Sequence, residues 1–155
     1  MIITNLSILP FKPATHLFSS DRGQIQGINT NDAPVKYLLD SLKEQQTPIQ
    51  ILAVTTKEAE PAYEAFCQMV QEFTQENQME VSALVKIHTE DTEIAQTIKE
   101  IVSQIHKEDR VYIDTTGGFR NSSYLLMAVV RILEYSNIHF CKAVYAKYVR
   151  ENESE

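Results

Sequence analysis

The residues best suited to hold an anion are consecutive: Thr115-Thr116-Gly117-Gly118-Phe119-Arg120-Asn121-Ser122-Ser123. Gly117 and Gly118 permit positive φ and let a ligand reach the backbone without meeting a Cβ. Thr115, Thr116, Asn121, Ser122 and Ser123 supply short-range donors, and Arg120 supplies a guanidinium that can fork onto a phosphate. The segment follows a β-branched run and precedes a long apolar one, so it reads as the turn between a strand and a helix. At such a junction, unpaired backbone N–H groups and the positive end of the helix dipole converge. The expected chemistry is anion binding.

The elements that must position this turn follow from the apolar pattern. Ile2 to Leu9 reads as a first strand, ended by Pro10 and Pro13. A long polar connection, Phe11 to Thr30, follows, and loops of that length in small domains are usually functional or disordered. Asn31 or Asp32 can cap a helix that carries Pro34 in its first turn and Val35, Leu38, Leu39 and Leu42 on one face. Ile49 to Thr55 is nearly all apolar, as a parallel strand covered on both faces should be. A helix opening at Pro61, a strand over Val81 to Ile87 and an amphipathic helix over Thr92 to His106 come next. Arg110 to Thr115 is the strand before the turn, Phe119 to Leu133 the helix after it, and His139 to Val149 a last strand.

Alternating strands and helices predict an α/β fold, a doubly wound, Rossmann-like and mainly parallel sheet flanked by helices in a single domain. Its strand-to-helix turns should line the C-terminal edge of the sheet, where the first loop and the Thr-Thr-Gly-Gly turn can face each other. The domain is expected over residues 1–150, with residues 151–155 an acidic tail or truncated linker. The helix after the turn is apolar nearly all round, with Arg120 and Arg131 its only charges before Leu133. One side of such a helix packs on the sheet, and part of the other should meet a second copy of the chain, the alternative being an extra layer within the monomer in which the long first loop covers the helix.

Bulk properties narrow the partners. The chain has 155 residues and a net charge of −7, which disfavours the broad basic surface that long nucleic acid requires. A small anion needs only local donors. Two cysteines, Cys67 and Cys141, suit a reducing compartment. No run approaches the roughly 18 apolar residues of a membrane span, and the first residues lack the basic start and apolar core of a signal peptide, so a cytoplasmic location is expected. No metal-ligand spacing joins His88, His106 or His139 to cysteines or carboxylates, and no metal or cofactor is expected.

The sequence around the turn resembles a known family. A hydrophobic strand ending in Asp, then Thr-Thr-Gly-Gly-Phe-Arg and a helix, is similar to the second signature of CRISPR-associated Rossmann-fold (CARF) domains. Asp114, Thr116, Gly118 and Arg120 match the family's Asp-x-Thr-x-Gly-x-Arg pattern. The resemblance implies a homodimer that binds a cyclic oligoadenylate, the second messenger of type III CRISPR antiviral defence, across its two-fold axis. We favour cyclic tetra-adenylate, although no residue fixes the ring size. It also implies that Thr115, Thr116, Gly117, Gly118, Phe119, Arg120 and Asn121 line the ligand. The family's first-loop role falls on Pro10 to Ser20, with Pro10, Lys12 and Thr15 as the expected contacts.

Many family members carry a fused effector, commonly a HEPN ribonuclease. Arg131 and His139 are too widely spaced for that motif. The chain is then a stand-alone sensor, a stand-alone ring nuclease, or the sensory domain of a longer protein. Cleavage would proceed without metal by attack of a ribose 2′-OH, with Thr116, Asn121 and Ser122 orienting the ring and Arg120 neutralising charge.

Plainer readings stand beside this one. Arg120 can simply pair with an acidic neighbour. Asp114 suits fixing the turn better than acting as a base. His16 is more often solvated than a ligand contact, and Tyr145 and Tyr148 are more often packing than base-stacking groups. The alternative function is an α/β enzyme or binding protein for a mononucleotide or sugar phosphate, with the same turn as its phosphate cradle. A third is an assembly module in which the turn is only a tight corner.

Overall fold

The computed structural model describes residues 1–7, 9–10, 13–90, 92–118 and 122–147, with the backbone alone at Ser122 and Ser123. Seven strands and four helices follow one another among these residues. In chain order they are β1 (Ile2–Asn5), β2 (His16–Ser20), β3 (Gly23–Gly27), α1 (Asp32–Leu42), β4 (Ile49–Thr55) and α2 (Glu60–Glu76). Then come β5 (Val81–His88), α3 (Ile94–Ser103), β6 (Arg110–Asp114), α4 (Ser122–Tyr135) and β7 (His139–Val144).

Five strands form one sheet in the order β5-β4-β1-β6-β7, and every neighbouring pair is parallel. The chain builds outward from β1 through β4 to β5, then returns to β6 on the other side of β1. This is the doubly wound, Rossmann-like arrangement expected from the alternation of elements. Its winding reverses between β1 and β6, where Thr4 lies opposite Asp114. Ligands of open α/β sheets bind beyond the strand ends at such a point.

Side chains alternate along β1 and so feed two cores. Ile3 joins Leu52, Ile87, Val111 and Ile113 beneath α3 and α4, where Ile101, Leu125, Val129 and Leu133 cover the sheet. Ile2 joins Ile51 and Ala53 beneath α1 and α2, under Val35, Leu38, Leu39, Phe66 and Val70. Ile2, Ile3, Leu38, Leu39, Ile51 and Leu52 are wholly buried. Each such side chain contributes about 1.5–3 kcal/mol relative to exposure. Among the described residues no helix is long and apolar enough to cross a membrane.

The polar connection after β1 departs from expectation. It contains an antiparallel hairpin, β2 with β3, with Ser20 opposite Gly23. Gly23 adopts φ +101° in the connection, a conformation that favours glycine. A two-stranded hairpin is marginal alone, and α1 supports this one. The Arg22 guanidinium donates to Asp40 at 2.7 Å, Lys36 Nζ donates to the Gln26 carbonyl at 2.9 Å, and Gly27 packs closely on Asp32 and Ala33. The first strand also ends earlier than its apolar pattern predicts, at Asn5 rather than Leu9.

Candidate functional site

Asp114, the last residue of β6, anchors the turn. Its side chain is fully buried, and it accepts hydrogen bonds from the Thr4 hydroxyl, the Asn31 amide and the Thr116 backbone N–H, each at 2.8 Å. The Thr116 contact, two residues along the chain, is an Asx turn. Burial pushes the Asp114 carboxyl above its usual value of 3.8, and the donors of Asn31, Thr116 and Thr4 offset only part of that. A carboxylate so enclosed cannot take a proton from a ligand at the surface. Its work is to shape the turn.

Asn31 stands at the N-cap position of α1 but makes no side-chain cap bond. Its amide instead donates to the Asn5 carbonyl, the Thr4 hydroxyl and Asp114, while its carbonyl oxygen accepts from Ser7 N–H at 3.0 Å. One buried side chain therefore ties β1, α1 and β6 together at the point where the winding reverses. Asp32, next in the chain, accepts from Ile28 and Asn29 N–H, both at 2.9 Å, and fixes the entry from the hairpin.

Gly117 sits against this network. A Cβ built there would lie 2.5 Å from the Asn5 carbonyl oxygen, 2.7 Å from Asn31 Nδ2 and 2.8 Å from Ser7 Oγ, so glycine is required by close approach. Gly118 follows at φ +99°, and its N–H donates to Ser7 Oγ at 3.0 Å. The start of the first loop and the Gly-Gly turn thus meet across the crevice between β1 and β6.

The two threonines stitch the turn to the end of β7. Thr115 donates to the Val144 carbonyl from both its N–H and its hydroxyl, each at 2.9 Å. The Thr116 hydroxyl accepts from Ala146 N–H at 2.9 Å. Of the predicted ligand contacts, Thr115, Thr116, Gly117 and Gly118 form one rim at the sheet edge. Pro10 is half-buried and Thr15 exposed, outside the strands and helices. Phe119, Arg120, Asn121 and Lys12 lie outside the described residues.

A cleft of about 860 Å³ opens beside this rim, between the hairpin, the start of α1 and the end of β7. His16, Phe18, Tyr37, Lys142 and Tyr145 are among its walls. Thr4, Ser7 and Asn31 as site builders, and this cleft, were missed by sequence reasoning. The helix after the turn, α4, presents Tyr124, Met127 and Tyr135 at 75%, 60% and 93% exposure, while Leu125, Leu126, Val129 and Leu133 face the core.

No protein-family model matches this chain, and no curated protein matches it either.

Proposed function

We propose that the chain is a homodimeric sensor of the CARF class that binds a cyclic oligoadenylate, with cyclic tetra-adenylate the favoured ring. The observation that carries this reading is the Gly117-Gly118 turn, packed on Asn5, Ser7 and Asn31 at the reversal point of the sheet. A turn held so tightly is preorganised, and α4 begins just beyond it, so the positive end of that helix would favour phosphate oxygens there. The apolar side chains exposed on α4 support pairing with a second copy, which would set two such turns about one axis. A ring with rotational symmetry fits paired sites, and Arg120 from each chain would meet its phosphates. The proposed setting is type III CRISPR antiviral signalling in the cytoplasm.

Slow metal-independent cleavage of the ring belongs to the same proposal as an activity to be measured. It would depend on the turn holding a ribose 2′-OH in line with its phosphate. Asp114 would not serve as the base, because it is buried behind the turn.

Calorimetric titration with cyclic tetra-adenylate, cyclic hexa-adenylate, linear oligoadenylate and AMP tests the reading. Binding of one ring, weakened at least tenfold in Arg120→Ala, is expected, and chromatography of the recovered nucleotide reports cleavage. Binding of AMP or a sugar phosphate with neither ring bound would favour the mononucleotide enzyme instead.

A further inference from the structure

We propose that the cleft between the β2–β3 hairpin, α1 and the end of β7 is a base pocket that takes one purine base of the bound nucleotide. The inference rests on the nucleotide-binding reading of the turn and adds where the base goes.

The cleft, about 860 Å³, lies within the roughly 300–1,000 Å³ of small-molecule sites. Its walls combine flat apolar faces with donors. Phe18 comes from the hairpin, Pro34 and Tyr37 from α1, and Tyr145 from just beyond β7. Aromatic side chains of this kind stack on any base. His16 and Lys142 add polar heads that can meet the ring nitrogens, which are acceptors in a purine. Lys142 is held in place, donating to the Tyr37 hydroxyl at 3.1 Å with its ammonium 5.2 Å from the Tyr37 ring centre. A sugar phosphate has no flat face to use such walls.

The cleft is joined to the anion turn by a shared strip of chain. Residues 144–146 line the cleft, and the same strip bonds to Thr115 and Thr116 through Val144 O and Ala146 N. A nucleotide with its phosphate on the turn therefore has its base within reach of the cleft across that strip. Because Thr115 and Thr116 hold the strip, turn and cleft keep a fixed separation, which favours one spacing of base and phosphate. The hairpin supplies one whole wall, which gives the long first connection a purpose.

Photolabelling with 8-azido-AMP followed by peptide mass spectrometry tests this directly. The label is expected on residues 16–21, 33–37 or 142–147. Tyr145→Ala and Lys142→Ala, both at exposed positions, should reduce labelling and ring affinity about tenfold, as loss of one stacking or polar contact does. Labelling elsewhere, no labelling, or unchanged labelling in both variants would overturn the pocket, even if cyclic tetra-adenylate binds the native chain tightly. Labelling in the cleft with neither ring bound would keep the pocket and remove the cyclic-messenger reading.

Discussion

Asn31 and Gly117 bear most of the site's geometry, and each gives a sharp expectation. A methyl group at Gly117 would meet the Asn5 carbonyl, a backbone atom at the end of β1, which pairs with Val54 of β4. Gly117→Ala should therefore cost about 1–3 kcal/mol, as overpacking typically does, and should weaken ring binding further by displacing the turn. Urea unfolding and titration of the same sample separate the two effects. Asn31→Asp replaces a donor 2.8 Å from the Asp114 carboxylate with a second carboxylate. It should destabilise the fold by roughly 3 kcal/mol at pH 7, because a buried charge loses its partner. One carboxyl of the new pair would titrate high in the folded state. The folded chain then binds more protons than the unfolded one, so stability should recover on acidification. Denaturant midpoints at pH 7.5 and 4.5 check this, and an equal loss at both would contradict it. In the native chain, Asp114 itself should titrate above 3.8 in a carboxyl-detected NMR titration. Since its folded value is raised, its ionisation should lower stability as pH rises from 3.8 through that folded value. At this scale Asp114 through Gly118 were legible, because a strand, an Asp and two glycines in succession specify a turn. Thr4, Ser7 and Asn31 were not. Their contacts with the turn span 83 to 111 residues, which no periodic pattern encodes, and Asn31 carried a competing reading as a helix cap.

Elements with a continuous apolar face were read closely. β4 spans Ile49–Thr55 as expected, because burial on both faces leaves an unbroken apolar run. α3 is shorter than its pattern, Ile94–Ser103 within the predicted Thr92 to His106, since apolar periodicity continues through residues that only flank a helix. The hairpin left little trace. In β2 and β3 only Leu17, Phe18 and Ile25 are large apolar residues, and α1 rather than a core of its own holds the pair. The Asp21-Arg22-Gly23 tripeptide was the available signal, a turn chemistry overlooked inside a polar stretch. α4 leaves large side chains in solvent on the face turned away from the core. Met127 is 60% exposed and Tyr124 75%, so charging them costs the monomer fold little. Sedimentation should show a dimer for the native chain and a monomer for Met127→Glu combined with Tyr124→Glu. A dimer in both would place the interface elsewhere and leave the paired-site argument without support.

The whole molecule combines an acidic chain of net charge −7 with a Gly-Gly turn, proposed to hold an anion, at the reversal point of its sheet. These agree if the ligand is small and is held by local, preorganised dipoles rather than by a general basic field. The fold class was legible because strands and helices alternate through the whole chain, and β1 lies at the centre because Ile2 and Ile3 are buried on opposite faces. Strand order was not legible, for periodicity does not say which neighbour a strand chooses. If two chains share one cyclic ligand, native mass spectrometry of the protein with cyclic tetra-adenylate will register the shared complex. A species of two chains and one ring, lost in Arg120→Ala, is the predicted result. One nucleotide on each separate chain, or no retention of cyclic tetra- or hexa-adenylate by a folded dimer, would contradict it.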